Sequence, residues 1–337
     1  MRSSVLVAVC AGMAVLLLAT APASATADRW GLAQYFGPGN PAASTLRLGT
    51  MAPRIAMSYG LGSGMNNMLL AAADDGAEAG AAAPEGEPVG VENPWFHHPK
   101  PFLEYHYGSN RDRRRAGLDS DLNGGTVGLM FGSVGNSVGG IMYDYTHSEG
   151  TSAAGASANV DTNSLTLFLG NNIDMLFFGT SMTFGDSAVR TRLVRRVHTD
   201  INTFSVAPYV GLAAYQQGPL TVTSTLTMVW RWQDFNYDWA LADDDSSDGT
   251  LVLMNRATYA LTQQAQLVGI FDWNRVLQEE ETLVAPIEDP DRCWFTLGAK
   301  LQYRLMQNVD VYAQYTSDVG NESYENHQVN MGISFSF

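Results

Sequence analysis

The stretch WFTLGAKLQYRL, residues 294–305, alternates between two kinds of side chain. The apolar positions are Phe295, Leu297, Ala299, Leu301, Tyr303 and Leu305. The polar or small positions between them are Thr296, Gly298, Lys300, Gln302 and Arg304. Successive side chains of a β-strand point to opposite faces, so this pattern predicts a strand with one apolar face. About 9–11 residues of such a strand cross the hydrocarbon core of a membrane.

The same alternation runs through the rest of the chain from Phe102 onward. It is clear at the C-terminus, where Val329, Met331, Ile333, Phe335 and Phe337 share one face. Threonines occupy the polar face of 221–233. The pattern predicts twelve strands, at 102–110, 125–134, 137–148, 162–170, 175–185, 202–215, 221–235, 250–262, 265–274, 294–305, 309–317 and 327–337.

The connections between these strands alternate between short turns and long polar loops. The short ones include VGNS at 134–137, NNID at 171–174 and MQN at 306–308. This alternation is typical of outer-membrane barrels, whose long loops face outward and whose chain ends lie in the periplasm. In hydrocarbon every backbone N–H and C=O must be paired, which requires helices or a closed sheet. The predicted fold is therefore all-β: a transmembrane antiparallel up-and-down β-barrel of about twelve strands. A soluble β-sandwich also alternates, but it does not explain so many long strands with large apolar side chains on one face.

The N-terminal part of the chain differs from the rest. Arg2 precedes an apolar run, and Ala23-Ser24-Ala25 supplies the small residues of a cleavage site, so residues 1–25 are predicted to be a signal peptide. The mature chain is then expected to begin at Thr26, or at Asp28 after the alternative cut. Residues 26–101 are predicted to be a mostly irregular extension, because the stretch from Ala73 to Pro94 is rich in Ala, Gly, Pro and Glu.

Residues 102–337 resemble the β-domain of autotransporters, the outer-membrane β-barrel translocator family. The likeness rests on GGTVGLMFGSVGNSVGGIMYDYTHSEG at 124–150, FSVAPYVGLAAY at 204–215, NVDVYAQYTSD at 308–318 and the terminal MGISFSF. The resemblance implies a translocator that helps a passenger across the outer membrane, with the segment before the barrel threading the pore. In this sequence the segment before the barrel is 26–101, without the long β-helical repeats of many passengers.

The polar strand faces carry charges, which are costly against lipid and are therefore expected to point into the lumen. They are Arg231, Arg256, Asp272, Lys300, Arg304 and Asp310. They either line an aqueous pore or form a closed network. In the hairpin of 294–317, pairing Leu305 with Val309 places Arg304 opposite Asp310, Lys300 opposite Gln314 and Gln302 opposite Tyr312. That pairing leaves Met306, Gln307 and Asn308 as a three-residue turn.

Possible partners follow from charge and from the chain end. The net charge of −15 argues against nucleic acid. The aromatic Phe337 resembles the last residue that the barrel-insertion machinery recognises, so it is the predicted assembly signal. Outer-membrane lipid and lipopolysaccharide are the other expected partners. Basic residues in the predicted first and third long loops offer contacts to lipopolysaccharide phosphates or to acidic loops: Arg111, Arg113, Arg114, Arg115, Arg190, Arg192, Arg195 and Arg196.

The candidate catalytic and metal-binding residues match no known motif. No recognisable catalytic pattern contains His147, Ser148, Asp144, Asn171 or His327. The simpler interpretation is that the histidines lie at the barrel rim and are exposed to water. Two acidic groups are expected to be solvated loops, since they lack EF-hand spacing. They are Asp243, Asp244, Asp245 and Asp248, and Glu279, Glu280, Glu281, Glu288, Asp289 and Asp291. Cys293 is expected to be an incidental loop thiol, and no cofactor, metal site or catalytic residue is predicted.

The sequence is compatible with three functions. The first is a non-enzymatic translocator or anchor with part of residues 26–101 inside the lumen. The second is a passive small-solute channel, which would need an open lumen. The third and weakest is a hydrolase at the rim.

Overall fold

A computed structural model describes residues 97–112, 118–132, 137–152, 157–173, 176–192, 196–237, 244–281, 293–306, 308–320 and 324–335. The predicted signal peptide, the extension up to residue 96 and Phe337 lie outside the described residues. Within these ranges, no helix is long and apolar enough to cross a membrane.

Twelve antiparallel strands close into one barrel, in which each strand pairs with its neighbours in sequence and β1 pairs with β12. The first six are β1 (His97–Asp112), β2 (Leu118–Gly132), β3 (Ser137–Ser152), β4 (Ser157–Ile173), β5 (Leu176–Arg192) and β6 (Arg196–Gln217). The others are β7 (Leu220–Tyr237), β8 (Asp244–Ala260), β9 (Ala265–Glu281), β10 (Cys293–Met306), β11 (Val309–Val319) and β12 (Tyr324–Phe335). The predicted fold class and strand number are confirmed.

The strands are longer than predicted, and the difference lies mainly at one mouth of the barrel. We call the mouth where β1 begins and β12 ends the turn-side mouth, and the opposite one the loop-side mouth. At the loop-side mouth β2 begins at Leu118 rather than 125, β5 ends at Arg192 rather than 185, and β9 ends at Glu281 rather than 274. Beyond the lipid the outer face of a strand becomes polar, so the apolar-outside alternation disappears while backbone pairing with the neighbouring strand continues.

Several predicted loop residues therefore belong to strands, and the expectation of long loops there was wrong. Arg111 lies in β1, Arg190 and Arg192 in β5, Arg196 in β6, Asp244, Asp245 and Asp248 in β8, and Glu279, Glu280 and Glu281 in β9. Cys293 is the first residue of β10 rather than a loop residue. Arg113, Arg114, Arg115, Arg195, Asp243, Glu288, Asp289 and Asp291 lie outside the described residues.

The two faces of the wall differ in chemistry as predicted. Large apolar side chains are exposed on the outside, among them Leu103, Ile141, Leu167, Leu297 and Met331. The intervening residues point inward and are buried or half-buried. Most buried polar residues are Ser, Thr, Asn and Gln, joined by a few charges. A continuous outward apolar surface of this extent requires a nonaqueous environment, and the band of a membrane barrel provides it.

The β10–β11 hairpin confirms most of the predicted register and corrects its turn. Arg304 pairs with Asp310, Lys300 with Gln314 and Gln302 with Tyr312. However, Val309 pairs with Met306 rather than Leu305, and the register shifts between Arg304 and Met306. Leu305 is thus the extra residue of a β-bulge, and the turn is two residues long. Because of the bulge, the turn can be tight while the polar faces of the two strands stay paired. The predicted three-residue turn assumed a regular ladder without a bulge.

Apolar side chains occupy two regions of the inner surface. One cluster contains Phe102, Met130, Met142, Phe168, Tyr209 and Met254. It lies nearer the turn-side mouth, where Phe168 covers Gly140 on the adjacent strand so closely that a Cβ there would overlap its ring. The second cluster, Val160, Val189, Ile201 and Phe235, lies nearer the loop-side mouth. Polar side chains occupy the inner surface between the two clusters.

Candidate functional site

A network of charged side chains runs along the inner wall from β8 to β1. Arg256 on β8 binds Asp272 on β9 through both terminal guanidinium nitrogens: Nη1 donates to Oδ1, and Nη2 donates to Oδ2 at 3.0 Å. Arg256 pairs in register with Ile270, so Asp272 is its diagonal neighbour. A two-pronged guanidinium–carboxylate pair is the geometry that best offsets the desolvation of buried charges.

The network continues across β10 and β11. The Lys300 ammonium lies 3.9 Å from the centroid of the Tyr312 ring, a cation–π contact. Tyr312 donates its hydroxyl hydrogen to a carboxylate oxygen of Glu104 on β1. Both Lys300 and Glu104 are 3% exposed, so both groups are removed from water, and Tyr312 contacts each of them.

Gly332 makes the contact between Tyr312 and Glu104 possible. It pairs with Tyr312 on one side and with Glu104 on the other, and it belongs to the last strand of the barrel. A Cβ at Gly332 would overlap the Tyr312 ring. Because glycine leaves this space, Tyr312 reaches over β12 and connects β11 with β1. The seam where the first and last strands meet therefore has a side-chain bridge in addition to its backbone ladder.

A second buried cluster joins β1, β2 and β3. Asp144 accepts hydrogen bonds from the Thr126 and Thr146 hydroxyls at 2.6 and 3.0 Å. His106 Nε2 lies 3.3 Å from Thr146 Oγ1 and 3.7 Å from an Asp144 oxygen. His106 lies over Gly124 of β2 to reach these partners on β3. This arrangement satisfies the carboxylate, and both hydroxyls already serve Asp144, so it does not present an activated nucleophile.

The six charged residues predicted to face the lumen divide into two groups. Arg231, Arg256, Asp272 and Lys300 lie on the inner wall and are largely buried, with Arg231 Nε 3.8 Å from Asp248. Arg304 and Asp310 form an ion pair of 3.3 Å near the turn-side mouth, where Arg304 is 42% exposed. The buried ones form a network, whereas the mouth pair is hydrated and contributes little to stability.

Another part of the inner wall is neutral and rich in hydroxyl groups. We call this region the hydroxyl wall, which consists of Thr162, Ser164, Thr166, Ser181, Thr183, Ser187, Thr203 and Ser205 on β4, β5 and β6. All eight are at most 5% exposed. The lumen thus has a charged region and a hydroxyl region, which meet where Ser205 pairs with Arg231.

The residues considered for catalysis do not come together. Ser148 and Asp144 point inward and are buried, whereas His147 on the same strand points outward and contacts Asp161 and Glu149. Asn171 pairs with Ser137 at the turn side of β3, far along the strand from His147. His327 pairs with Ser109 and Ser317 on other strands and hydrogen-bonds Tyr315. His147 and His327 therefore share no site with Ser148.

Several interior residues were missed at the level of sequence. Glu104 and His106 follow the polar face of β1, between Leu103, Tyr105 and Tyr107, and this alternation was the available signal. Asp248 was assigned to an acidic loop, although it pairs with Arg231 in the ladder. The inward position of Tyr312 follows from its predicted pairing with Gln302, but its contact with Glu104 was not predicted.

These features define a class: an integral β-barrel of the outer-membrane type, with an apolar outer band and a polar interior. The solved structures with this fold agree. The translocator domain of the autotransporter NalP from Neisseria meningitidis is similar at 14% identity and a TM-score of 0.61, over 84% of this chain and 98% of that chain. The β-domain of the Bordetella autotransporter BrkA matches at 14% identity and a TM-score of 0.54, over 72% of this chain and 100% of that one.

A channel has the same general fold. An outer membrane channel from Pseudomonas putida is similar at 10% identity and a TM-score of 0.51, over 76% of this chain and 100% of the channel. No protein-family model matches the chain, and no similar sequence is found among curated proteins. At these identities the likeness shows the fold. The predicted resemblance to autotransporter β-domains is confirmed at that level.

Proposed function

We propose that this protein is a non-enzymatic outer-membrane β-barrel that acts as a translocator or anchor for the segment before it, part of which occupies the lumen. The observation that carries the proposal is the burial of the interior polar residues. A barrel of twelve strands encloses more space than one of eight, whose interior its own side chains just fill. Yet Lys300, Arg231 and Arg256 are at most 7% exposed. Partners on the wall account for part of this burial. Protein within the lumen would complete it, whereas an open aqueous pore would hydrate these charges.

The segment before β1 is suited to be that occupant. The chain enters β1 at His97, at the turn-side mouth, so the preceding residues start beside the lumen. They carry Asp74, Asp75, Glu78, Glu85, Glu87 and Glu92. Their carboxylates are opposite in charge to Arg304, which is 42% exposed near the turn-side mouth, and to Arg231, Arg256 and Lys300, which also have partners on the wall. Ordering this segment costs about 1–2 kcal/mol per residue, so only part of it is proposed to be held.

The proposal includes the route to the membrane. Residues 1–25 are removed on export, the barrel-insertion machinery recognises the C-terminal strand through Phe337, and the outer band contacts lipid and lipopolysaccharide. The turn-side mouth then faces the periplasm, as in other barrels with short periplasmic turns.

An epitope tag tests the translocator function in intact cells. A tag placed after residue 30 is expected to react with antibody at the cell surface, because the segment before the barrel passes outward through the lumen. A tag at Gly218 and Pro219, in the turn between β6 and β7, is the periplasmic control. A tag between residues 282 and 292 is the surface control. If the residue-30 tag reacts only after the outer membrane is permeabilised, the translocator function is wrong.

The passive channel remains the second candidate, since a channel shares the fold. Swelling of liposomes that contain the purified full-length mature chain, in solutions of small sugars, distinguishes the two. Fast swelling supports the channel, and swelling no faster than in empty liposomes supports the occupied barrel.

A further inference from the structure

The outer surface of β4, β5 and β6 changes in rows from the lipid band toward the loop-side mouth. The first row is apolar and consists of Phe184, Leu165 and Phe204, which pair in register. The next two rows are mostly amides and carboxylates: Asp186, Asn163 and Asn202, then Ala188, Asp161 and Asp200. The last two rows are mostly basic: Arg190, Asn159 and His198, then Arg192, Ser157 and Arg196. We call Arg190, Arg192, Arg196 and His198 the basic tip of the β5–β6 hairpin.

Two arginines occupy directly opposite positions in the basic tip. Arg192 pairs with Arg196 in the ladder, next to the pair of Arg190 and His198. Like charges at directly opposite positions of neighbouring strands are destabilising. An anion that lies against the tip relieves this repulsion, because it attracts both arginines.

The nearby carboxylates offset only part of this charge. Arg190 Nη1 lies 3.3 Å from an Asp161 oxygen, and His198 Nε2 lies 3.0 Å from an Asp200 oxygen. Arg192 is exposed and has no acidic partner in the described part of the chain. The outermost row of the tip therefore keeps its positive charge for a ligand.

We propose that the basic tip binds phosphate groups on the core sugars of lipopolysaccharide in the outer leaflet. The inference rests on the proposed function, in which the turn-side mouth faces the periplasm and the loop-side mouth faces outward. It adds which surface of the barrel contacts lipopolysaccharide and which chemical group that surface recognises.

The height of the tip above the lipid band matches the sugar region of such a lipid. Met182 and Phe184 on β5 are exposed apolar residues that face the acyl chains. Arg190 lies six residues beyond Phe184 on the same strand. This separation is roughly 20 Å along the strand, or about 15 Å along the membrane normal for a strand tilted by about 40°. At that height the tip lies beside phosphorylated sugars, and the planar guanidinium fork suits two phosphate oxygens at once.

Other parts of the loop-side rim are less suited to an anion. On β7 and β8, Asp234 pairs with Asp245, and both are exposed. On β1, Arg111 is 64% exposed, as Arg190 is at 65%, but its Nε lies 2.9 Å from Asp119 on the adjacent strand. Arg111 is therefore the matched control: an equally exposed arginine in an isolated ion pair.

Titration of the purified full-length mature protein in detergent with labelled lipopolysaccharide tests the basic tip. Arg190→Gln combined with Arg192→Gln should weaken binding on the order of thirtyfold, the effect of two arginines beside an anionic lipid surface. Arg111→Gln should leave the affinity nearly unchanged. Lipopolysaccharide without its core phosphates should bind the unchanged protein as weakly as the intact lipid binds the double variant. Heat-modifiable gel mobility verifies that each variant is folded.

Three results would overturn the assignment. They are equal losses for the double variant and Arg111→Gln, undiminished binding by the double variant, and equal affinity for lipopolysaccharide with and without its core phosphates. Phosphatidylglycerol vesicles supply the comparison with a phospholipid headgroup, and binding as tight as that of lipopolysaccharide would also overturn it.

Failure of the basic tip is distinguishable from failure of the proposed function. The titration does not involve the lumen, so a negative result leaves the translocator untouched. A tag between residues 282 and 292 that reacts only in permeabilised cells would instead place the loop-side mouth in the periplasm. That outcome would remove both the proposed function and the contact with outer-leaflet lipopolysaccharide.

Discussion

Arg256 and Asp272 illustrate how single residues stabilise a polar interior. Both charges are removed from water, so each depends on the other, and the two-pronged geometry makes the pairing effective. Sequence alternation placed Arg256, Asp272 and Lys300 on polar faces correctly. It did not predict the link from Tyr312 to Glu104, because that contact spans β12 and exists only once the barrel has closed.

Removing one member of the buried pair should be more harmful than removing both. Arg256→Met leaves the Asp272 carboxylate without its main partner and is expected to lower the free energy of unfolding by about 3–5 kcal/mol. Arg256→Met combined with Asp272→Leu should recover most of this loss. Urea titration of the refolded barrel, followed by its heat-modifiable gel mobility, measures both. A double variant as unstable as the single one would argue against mutual compensation.

Gly332 should be intolerant of even one added carbon. Gly332→Ala places a methyl group against the Tyr312 ring, and forcing the ring aside is expected to cost about 1–3 kcal/mol. Adding Tyr312→Ala should relieve the overlap. Gly269→Ala is the control, because a Cβ there meets its nearest atom at 3.8 Å. Equal stability of the Gly332 and Gly269 variants in the same urea titration would contradict the proposed seam bridge.

At the scale of a strand, the sequence predicts the part that faces lipid better than the part beyond it. β4 runs from Ser157 to Ile173, but only 162–170 alternates clearly enough to be predicted. On its outward face Leu165, Leu167 and Leu169 give way to Asn163, Asp161 and Asn159. The polar part pairs with its neighbours just as fully. Its extension follows from backbone pairing with β3 and β5, which the sequence of one strand does not encode.

A charge scan along β4 should locate the edge of the lipid band. Leu167→Arg puts a charge at the outward apolar face and is expected to destabilise the barrel by about 2–4 kcal/mol in lipid vesicles. Asn159→Arg, on the same face of the same strand but beyond the apolar residues, should cost about 0–1 kcal/mol. Equal losses for the two variants in vesicle unfolding would place the band elsewhere.

At the scale of the whole molecule, the even strand number brings the start of β1 and the end of β12 to the same mouth, the turn-side mouth. Twelve strands, their order and their faces were predictable from alternation. The charged and hydroxyl regions of the lumen were not, because they depend on which side chains meet when the sheet closes.

Export should leave a chain that begins at Thr26. The small residues Ala23 and Ala25 define the expected cut, and the intact mass of protein extracted from outer membranes measures it. A mass that includes residues 1–25 would contradict the proposed export route.

Phe337 should affect assembly more than stability. Burial of one such side chain contributes only about 2 kcal/mol, too little to unfold a closed barrel. Deletion of Phe337 is therefore expected to reduce the amount of membrane-inserted, heat-modifiable protein sharply, while Phe337→Tyr, which retains an aromatic end, should not. Normal levels of inserted protein after the deletion would refute its role as the assembly signal.

The central claim is that the segment before β1 occupies the lumen, and single-channel recording in planar bilayers tests it most directly. The comparison is between the mature chain and a variant that lacks residues 26–90, which leaves β1 whole because that strand begins at His97. The occupied barrel predicts small, infrequent currents from the mature chain and a substantially larger steady conductance from the shortened one. Equal and large conductance from both would contradict the claim and identify the protein as an open channel.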